Sequence, residues 1–375
     1  MKKKILISFG TRPEAIKLVK IIKLLKKNSK IDLKICVSGQ HNQLLYQVLD
    51  LFKIKPDFDL KVMKSNQSLN LLSSKILKKM NNILQKYKPN LIIVHGDTTT
   101  AFIAALAAFQ NKIKIAHVEA GLRTHNIKFP YPEEFNRKSL GILADFNYTP
   151  SKKATKNLID EKISKKKIIQ TGNTVVDTLK ESLNLLVGNK ILINKIKKKF
   201  FFLKNNKNLI IVTSHRRENY GSGIENICSA LKEIVKKYNN LQIVFPVHPN
   251  PNIRKKVFKM LKKVKNIYLT KPLDYFSFVY LMKKSKLILT DSGGIQEEAP
   301  TFKKPVLILR NETERPEVKY LGGAVIVGTN KKKIITTVMK LISNKKAYKA
   351  MTKITNPFGK GQASKKIVNH LLNNI

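Results

Sequence analysis

The chain has 375 residues, which is long for one domain and typical of two, at roughly 100–200 residues per domain. It carries 73 basic and 24 acidic residues, a net charge of +49, and two cysteines. No segment approaches the roughly 20 consecutive apolar residues that span a bilayer, so membrane insertion is excluded. The lysines are dispersed in short groups, which favours solvated helix faces over a specific nucleic-acid surface. Two isolated cysteines favour a reducing, cytoplasmic compartment.

Short apolar strands alternate with amphipathic helices along the first half of the chain, which predicts a parallel sheet. Strands are predicted at residues 4–9, 32–38, 91–95 and 113–119. Helices are predicted at 13–27, 42–52, 68–86 and 99–109, near 134–143, and at 174–186. The apolar run that begins at residue 5 is too short for a signal peptide and is interpreted as the first strand.

A second series of the same kind begins after a stretch rich in Lys and Asn. Strands are predicted at 209–213, 241–246, 286–290 and 306–309, and helices at 224–236, at 253–261 and from 294. Two such series predict two Rossmann-like domains with parallel sheets that face each other across a central cleft. The expected domains are 1–187 and 208–360, with an interdomain region at 188–207. The amphipathic segment 361–375 is expected to form a C-terminal helix that can cross back to the first domain.

Polar motifs follow the predicted strands at their carboxyl ends, where ligands bind in such folds. The first is GTRPEA at 10–15, in which a turn before a helix start offers backbone N–H groups, together with Arg12, to an anion. An ordinary turn with an exposed arginine is the alternative. The second is HGDTTT at 95–100, which places Asp97 at the functional edge. There the alternative is that Asp97 caps the next helix.

Two acidic motifs come next. In HVEAGLR at 117–123, strand alternation predicts that His117 and Glu119 lie on one side. A carboxylate that ends an apolar strand must be paired or functional, and an ion pair of Glu119 with Arg123 is the alternative. PEE at 132–134 opens a helix with Glu133 and Glu134. A favourable interaction with the helix dipole explains one of these acids better than both.

The second half carries a basic motif and a rigid loop. SHRREN at 214–219 combines His215 with two of the eight arginines of the chain, which favours an anionic ligand over a plain surface loop. PVHPNP at 246–251 presents His248. The chain has neither a Walker loop nor a dinucleotide fingerprint, and its histidines make no recognised metal set. Neither a cofactor nor a metal is expected.

DSGGIQEE at 291–298 is the sharpest nucleotide-binding signal. Its serine and two glycines lie at a predicted helix start, where free N–H groups suit a pyrophosphate. Glu298, about one turn later, is placed to accept hydrogen bonds from ribose hydroxyls. Arg315 lies further along as a candidate phosphate partner. A plain capped helix is the alternative, and it leaves the two glycines unexplained.

Together these motifs resemble the bacterial non-hydrolysing UDP-N-acetylglucosamine 2-epimerases. The similar segments run nearly end to end and read FGTRPEAIK at 9–17, HGDTT at 95–99, HVEAGLR at 117–123, PEE at 132–134, HRRE at 215–218, DSGGIQEE at 291–298, TERPE at 313–317 and NPFGKG at 356–361. The resemblance implies a GT-B-like fold and a homodimer. It also implies reversible C2 epimerisation of UDP-N-acetylglucosamine to UDP-N-acetylmannosamine, by elimination of UDP and re-addition through a 2-acetamidoglucal, for cell-envelope polysaccharide synthesis.

The resemblance further implies a role for each matching position. The implied catalytic residues are Asp97, Glu119, Glu133 and His215. The implied UDP-binding residues are Arg12, Ser292, Gly293, Gly294, Glu298 and Arg315. Several family members also bind the substrate as an allosteric activator, and the matching positions are Gln40, Gln43, Arg216 and His248.

Two points stay open at the level of the sequence. A further arginine that some members have in the activator site is not evident here, because the corresponding loop reads KSNQ at 64–67, so activation of this chain is not settled by the resemblance. The alternatives to the epimerase are a GT-B glycosyltransferase with a UDP-sugar donor and a hydrolysing epimerase that releases N-acetylmannosamine.

Overall fold

The computed structural model describes residues 2–39, 42–63, 67–205 and 207–375. The chain divides into two compact units, which we call the N-terminal unit (Met1–Thr178 with Phe358–Ile375) and the C-terminal unit (Leu179–Pro357). Each unit is built on its own parallel sheet with helices between successive strands.

The N-terminal unit contains a parallel sheet in the order β3-β2-β1-β4-β5-β6-β7. Its strands are β1 Lys3–Phe9, β2 Ile31–Val37, β3 Phe58–Asp59, β4 Leu91–His95, β5 Lys114–Val118, β6 Phe146–Thr149 and β7 Ile168–Gln170. Its helices are α1 Arg12–Lys26, α2 Asn42–Leu51, α3 Leu69–Tyr87, α4 Thr99–Gln110, α5 Glu133–Leu143, α6 Lys152–Asp160 and the start of α7 Thr174–Gly188. The strand order reverses between β1 and β4, which is where Rossmann-like folds open a binding crevice.

The C-terminal unit repeats this plan with the order β10-β9-β8-β11-β12-β13. Its strands are β8 Asn208–Thr213, β9 Leu241–Pro246, β10 Ile267–Thr270, β11 Leu287–Thr290, β12 Val306–Ile308 and β13 Ala324–Ile326. Its helices are α8 Lys190–Lys199, α9 Ser222–Lys237, α10 Pro251–Leu261, α11 Tyr275–Lys284, α12 Gly293–Glu298, α13 Pro316–Tyr320, α14 Lys331–Ser343 and α15 Lys345–Thr352. Here the order reverses between β8 and β11.

The central strands are buried on both faces, as strands of a parallel sheet covered by helices must be. Ile5, Leu6 and Ile7 of β1 are all fully buried, as are Ile210 and Ile211 of β8. Continuous apolar runs in the sequence therefore mark these strands. The predicted fold class, α/β with two Rossmann-like domains built on parallel sheets, is confirmed.

The division between the units differs from the predicted one. The N-terminal unit ends at Thr178, inside α7, and residues 188–207 belong to the C-terminal unit instead of forming a separate connection. Their Lys-rich composition suggests a linker, but α8 buries Ile196, and Phe200 after it is 4% exposed. The Phe202 ring lies 4.4 Å from the ring of Tyr268. Apolar residues scattered among lysines anchor this segment.

The C-terminal helix, α16 (Ala363–Asn374), belongs to the N-terminal unit and packs against α1. Its start is held by Asp177, whose carboxylate accepts hydrogen bonds from the backbone N–H groups of Ala363 and Ser364 at 3.2 and 2.9 Å. Ile367 and Leu371 are fully buried. The apolar stripe of this helix therefore completes the core of the N-terminal unit.

Candidate active site

The loop between β1 and α1 is organised by Glu14. Its carboxylate accepts hydrogen bonds from the N–H groups of Gly10 and Thr11 at 3.1 and 2.8 Å, and from the Thr98 hydroxyl at 2.8 Å. These two N–H groups are therefore engaged by Glu14, which forms a capping box with Thr11, and are not available to an anion. Arg12, half-buried at the first position of α1, remains as the cation of this loop.

Asp97 follows β4 on the other side of the switch point. Its Oδ2 lies 2.8 Å from Arg137 Nε and 2.7 Å from Nη2, a two-pronged contact of the kind that arginine favours. Arg137 also contacts Glu134 at 3.0 Å. The cap of α4 is Thr98, whose hydroxyl accepts from the N–H of Ala101. Asp97 is therefore not the helix cap, and its side chain is held by an arginine at the carboxyl edge of the sheet.

Glu119 stands directly after β5 with a φ of +66°, a left-handed conformation that few non-glycine residues adopt. Its side chain is 7% exposed and forms an ion pair with Lys17. Asn173 Nδ2 donates to it at 2.7 Å, and His95 Nε2 lies 4.0 Å away. A buried carboxylate is thus surrounded by a cation, an amide and an imidazole, which compensate its desolvation.

The alternative that the sequence leaves for Glu119, an ion pair with Arg123, is not formed. Arg123 pairs instead with Glu161 through two contacts of 2.8 and 2.7 Å. His117 is fully buried, with Nε2 2.8 Å from the carbonyl oxygen of Gly96, and burial lowers its pKa to about 4. β5 ends at residue 118, so strand alternation does not extend to Glu119, whose backbone is left-handed.

The two acids that open α5 have different environments. Glu134 is fully buried and accepts from the N–H groups of Thr124 and His125, each at 3.1 Å, so it braces the preceding loop. Glu133 is half-buried. Within the described ranges, its Oε2 is buried without a hydrogen-bond partner. Glu134 is therefore engaged by the preceding loop and by Arg137, whereas one buried oxygen of Glu133 has no described partner.

In the C-terminal unit, His215 follows β8 and its ring lies against that of His248, with centroids 5.9 Å apart and an interplanar angle of 28°. Burial and the neighbouring His215 lower the pKa of His248. Arg216 Nε is buried, with no hydrogen-bond partner in the part of the chain that the structure describes. Of the other two positions matched to the activator set, Gln43 lies in α2 and Gln40 lies outside the described residues.

The glycine pair opens α12 as the sequence predicts. Ser292 is the N-cap in an extended conformation, and the helix begins at Gly293 and Gly294. A Cβ on Gly293 would lie 3.0 Å from Cζ of Arg315. The guanidinium therefore packs in the space that a side chain at position 293 would occupy. Arg315 also donates to Glu297 at 2.8 Å. The predicted phosphate-binding arginine therefore lies directly on the glycine turn.

Glu298, at the end of α12, is 5% exposed and accepts a hydrogen bond of 2.6 Å from the Tyr275 hydroxyl. The neighbouring charges are also buried and paired. Glu314 lies 2.8 Å from Arg310 and 3.6 Å from Arg315. Burial alone raises the pKa of Glu314, but these two arginines lower it to about 2. This part of the site is a fixed network of charged side chains.

Comparison with known proteins decides the family. A family model described as UDP-N-acetylglucosamine 2-epimerase matches residues 23–372. A Campylobacter jejuni protein of the same name is 49% identical over 99% of this chain and 98% of its own length. The crystal structure of UDP-GlcNAc 2-epimerase from Neisseria meningitidis bound to UDP-GlcNAc is 46% identical, with a TM-score of 0.95 over 99% of this chain and 100% of that one. The chain belongs to the UDP-N-acetylglucosamine 2-epimerase family.

Sequence reasoning missed several side chains around the candidate site of this epimerase family member. Lys17 is buried, but nothing in the pattern separates it from the other lysines. Asn173 contacts Glu119 across 54 positions of the chain. Arg137 is one of eight arginines, and this scarcity is the one signal that points to it.

Neither a membrane-spanning helix nor a metal-binding cluster occurs among the described residues of this family member. None of the helices within the described ranges combines the length and apolar character that crossing a membrane requires. Within those same ranges, no group of three or more His, Cys, Asp or Glu side chains is arranged to hold a metal ion.

Proposed function

We propose that this chain interconverts UDP-N-acetylglucosamine and UDP-N-acetylmannosamine by eliminating UDP and adding it back through a 2-acetamidoglucal, without releasing the sugar. The observation that carries the proposal, beside family membership, is the environment of Glu119. This carboxylate is buried at the carboxyl edge of the sheet and contacts Lys17 and Asn173. Such a desolvated but compensated carboxylate is suited to moving a proton.

The elimination route follows from the chemistry of the substrate. No carbonyl is adjacent to C2, so deprotonation alone would give an unstabilised carbanion. If a carboxylate takes the C2 proton while the C1–oxygen bond breaks, the electron pair of the C–H bond forms the C1–C2 double bond and UDP departs with the other pair. Addition of UDP with protonation on the opposite face of C2 completes the epimerisation. Both directions need fixed positive charge at the diphosphate.

We assign the proton transfers to Asp97, Glu119, Glu133 and His215. Glu133 is supported by its buried oxygen without a described partner. Which acid removes the proton and which returns it is left to experiment. UDP binding is assigned to Arg12, Ser292, Gly293, Gly294, Glu298 and Arg315. The contact of Arg315 with the Gly293 turn supports this group, because a cation and helix N–H groups side by side suit a pyrophosphate.

The test is incubation of the pure protein with UDP-N-acetylglucosamine alone in D₂O, followed by NMR. We expect UDP-N-acetylmannosamine with deuterium at C2. Product without deuterium would count against the elimination route. Free N-acetylmannosamine with UDP would identify a hydrolysing enzyme, and no conversion until an acceptor is added would identify a glycosyltransferase.

A pair of variants connects this activity to the proposed residues. Glu133→Gln should lower kcat by about 10²–10⁴-fold, which is the range for removal of a general acid or base. Glu225→Gln removes a carboxylate that pairs with Lys256 on the surface of the C-terminal unit and should leave kcat unchanged. Equal activity of the two variants would remove Glu133 from the mechanism.

We further propose that UDP-N-acetylglucosamine activates the enzyme through Gln40, Gln43, Arg216 and His248. The buried Arg216 Nε without a described partner supports an anionic ligand at this loop. Initial rates should then depend sigmoidally on substrate concentration. Arg216→Ala should abolish the sigmoidal response, and hyperbolic kinetics of the unmodified enzyme would contradict this part of the proposal.

We also propose that the enzyme is a cytoplasmic homodimer of cell-envelope polysaccharide synthesis. The dimer is supported by exposed apolar side chains on α4 and α5, where Phe109, Phe135 and Ile142 are 58%, 45% and 70% exposed. The two helices pack against each other, and exposed apolar side chains that lie together mark interaction surfaces. Phe109→Asp with Ile142→Lys should yield monomers in light scattering, whereas a wild-type monomer would contradict the proposal. The buried free thiols of Cys36 and Cys228 suit a reducing compartment.

A further inference from the structure

Asp291, the first residue after β11, organises the loop that follows the neighbouring strand β8. The residue is fully buried, and one of its oxygens, Oδ2, accepts four hydrogen bonds. The donors are Ser214 Oγ at 3.0 Å, the backbone N of His215 at 2.7 Å, the backbone N of Arg216 at 2.9 Å and Asn219 Nδ2 at 3.0 Å. These bonds hold the loop by main-chain atoms as well as side chains.

The other oxygen of the carboxylate faces the imidazole. Asp291 Oδ1 lies 2.9 Å from His215 Nδ1. Because Oδ2 is already occupied by its donors, Oδ1 is the oxygen that meets the ring. Oδ1 is buried and has no donor in hydrogen-bond geometry among the described residues. An ionised carboxylate only accepts hydrogen bonds, so a proton on the facing ring nitrogen is what would satisfy this oxygen. In a neutral imidazole the other nitrogen, Nε2, is then unprotonated.

Asp291 is charged in this environment. Burial raises the pKa of the carboxyl group, but contact with His215 and the N–H groups of the loop more than offset burial, and the pKa ends below its ordinary value. The His215 side chain is 40% exposed, so burial alone does not fix its ring. The other described ring against it is His248, which stacks on the face of the imidazole and leaves the direction of the nitrogens to Asp291.

We propose that Asp291 is a positioning residue that holds His215 in the tautomer protonated at Nδ1, so that Nε2 is the nitrogen that exchanges a proton with the substrate. The inference rests on the proposed function, in which His215 acts at the departing UDP. When the C1–oxygen bond breaks, its electron pair goes to the β-phosphate oxygen, and the imidazolium gives its Nε2 proton to that oxygen. Re-addition of UDP returns the proton to Nε2.

Asp291→Asn separates this role from loop anchoring. The amide oxygen can still accept the four hydrogen bonds, while the NH₂ group replaces Oδ1 and donates to the ring. Nδ1 must then be the acceptor, and the proton of neutral His215 moves to Nε2. A wrong tautomer of this kind lowers kcat by about 10⁴-fold in serine proteases. We expect kcat to fall by about 10²–10⁴-fold, with KM changed less than about threefold.

The direct readout is the tautomer of His215, measured by ¹⁵N NMR of histidine-labelled protein at about pH 8.5. The wild type should show Nδ1 protonated, and Asp291→Asn should show Nε2 protonated. The chain has seven histidines, and His215→Gln assigns the signal by its disappearance. Ser214→Ala is the matched control, because it removes one donor to Oδ2 but keeps the carboxylate facing the ring. It should retain the wild-type tautomer and lose less than about tenfold in kcat.

Two results would overturn the inference: a wild-type His215 protonated at Nε2, or equal losses of kcat in Asp291→Asn and Ser214→Ala with the tautomer unchanged. If Asp291→Asn fails to fold, the inference is tested by the His215 tautomer measured in the wild-type protein. The NMR measurement needs no substrate. A wild type that lacks epimerase activity would therefore refute the proposed function, while the tautomer is judged on its own.

Discussion

Glu14 should make the stability of the protein depend on pH. The residue is 2% exposed and joins the β1 loop to the β4 loop, since it accepts from Gly10 and Thr11 on one side and from Thr98 on the other. Burial raises its pKa from an ordinary 4.5 to about 7, although these hydrogen bonds act in the opposite direction. The loss of solvation raises the pKa by more than all the hydrogen bonds to the carboxylate lower it.

The sign follows from proton binding. With a pKa of about 7 in the folded protein and 4.5 in the unfolded chain, the folded state binds more protons between these pH values, so stability falls as the pH rises through this window. The contribution is fully present below pH 4.5 and is lost by about pH 7. At about 1.4 kcal/mol per pKa unit, it amounts to about 3 kcal/mol.

Glu14→Gln tests this reasoning. The amide oxygen can accept from the backbone N–H groups and the amide nitrogen can donate to Thr98, so the bridge is kept and the charge is removed. The variant should be more stable than the wild type at pH 8 by up to about 3 kcal/mol, and the difference should shrink towards pH 4.5. Urea unfolding followed by far-UV circular dichroism at several pH values measures it, since the chain has no Trp.

The control for Glu14→Gln is Asp50→Asn, which removes an exposed carboxylate from α2. Its effect on the free energy of unfolding should stay nearly constant over the same pH range. If the difference in the free energy of unfolding between Glu14→Gln and the wild type is as independent of pH as that of the control, the reasoning is refuted. Such a result would show that Glu14 keeps its charge in the fold without penalty.

Three further outcomes are expected. Gly121→Ala should destabilise the folded protein by roughly 3 kcal/mol or more, because a Cβ would lie 2.3 Å from the Ala154 oxygen at a φ of +86°. Gly96→Ala, where the φ is +69° and the space is open, should destabilise it by about 1–2 kcal/mol. Thermal unfolding of the two variants measures the difference. Tyr275→Phe should weaken UDP binding about tenfold in calorimetry, because it removes the hydrogen bond that the Tyr275 hydroxyl donates to Glu298. Unchanged affinity would contradict this. Both cysteine thiols are buried, and burial raises their pKa to about 12, so Ellman's reagent should react only after denaturation.

The central strands could be predicted because their apolar composition indicates that they are buried. β1, β4, β8 and β11 read as continuous apolar runs, which is what a strand covered on both faces requires. The sequence does not predict the five strands β3, β6, β7, β10 and β13, which have only two to four residues each. A strand that short has no periodicity of its own and exists because a longer neighbour offers it a hydrogen-bonding edge.

The candidate site divides in the same way. Motifs at the carboxyl ends of strands mark Asp97, Glu119, His215 and the Gly293 turn, because strand ends in an open parallel sheet share one edge. The partners of these residues could not be predicted. Arg137 reaches Asp97 over 40 positions, and such a pairing depends on where the chain of α5 is placed. The sequence shows which residues are unusual, and the fold decides which of them meet.

Each unit has a buried carboxylate that joins the two loops at its switch point. In each sheet the strand order reverses at one point, and the two loops that flank this point diverge. A contact between these loops is needed if a ligand is to bind to a fixed surface. In the N-terminal unit Glu14 joins the loop after β1 to the loop after β4. In the C-terminal unit Asp291 joins the loop after β11 to the loop after β8. A buried carboxylate suits this task because it accepts several N–H groups at once.

The two bridges differ in charge for a reason that the contacts explain. Glu14 has hydrogen-bond donors but no cation among its described contacts, and burial raises its pKa. Asp291 has the imidazole of His215 as well as its N–H donors, and its pKa is lowered. Glu14 is therefore about half ionised near pH 7, whereas Asp291, with its lowered pKa, is an anion there. An ionised carboxylate only accepts hydrogen bonds, so Asp291 is the bridge that favours a proton on the facing nitrogen of a neighbouring histidine. Of the two bridges, it is the one that connects a loop to the proposed chemistry.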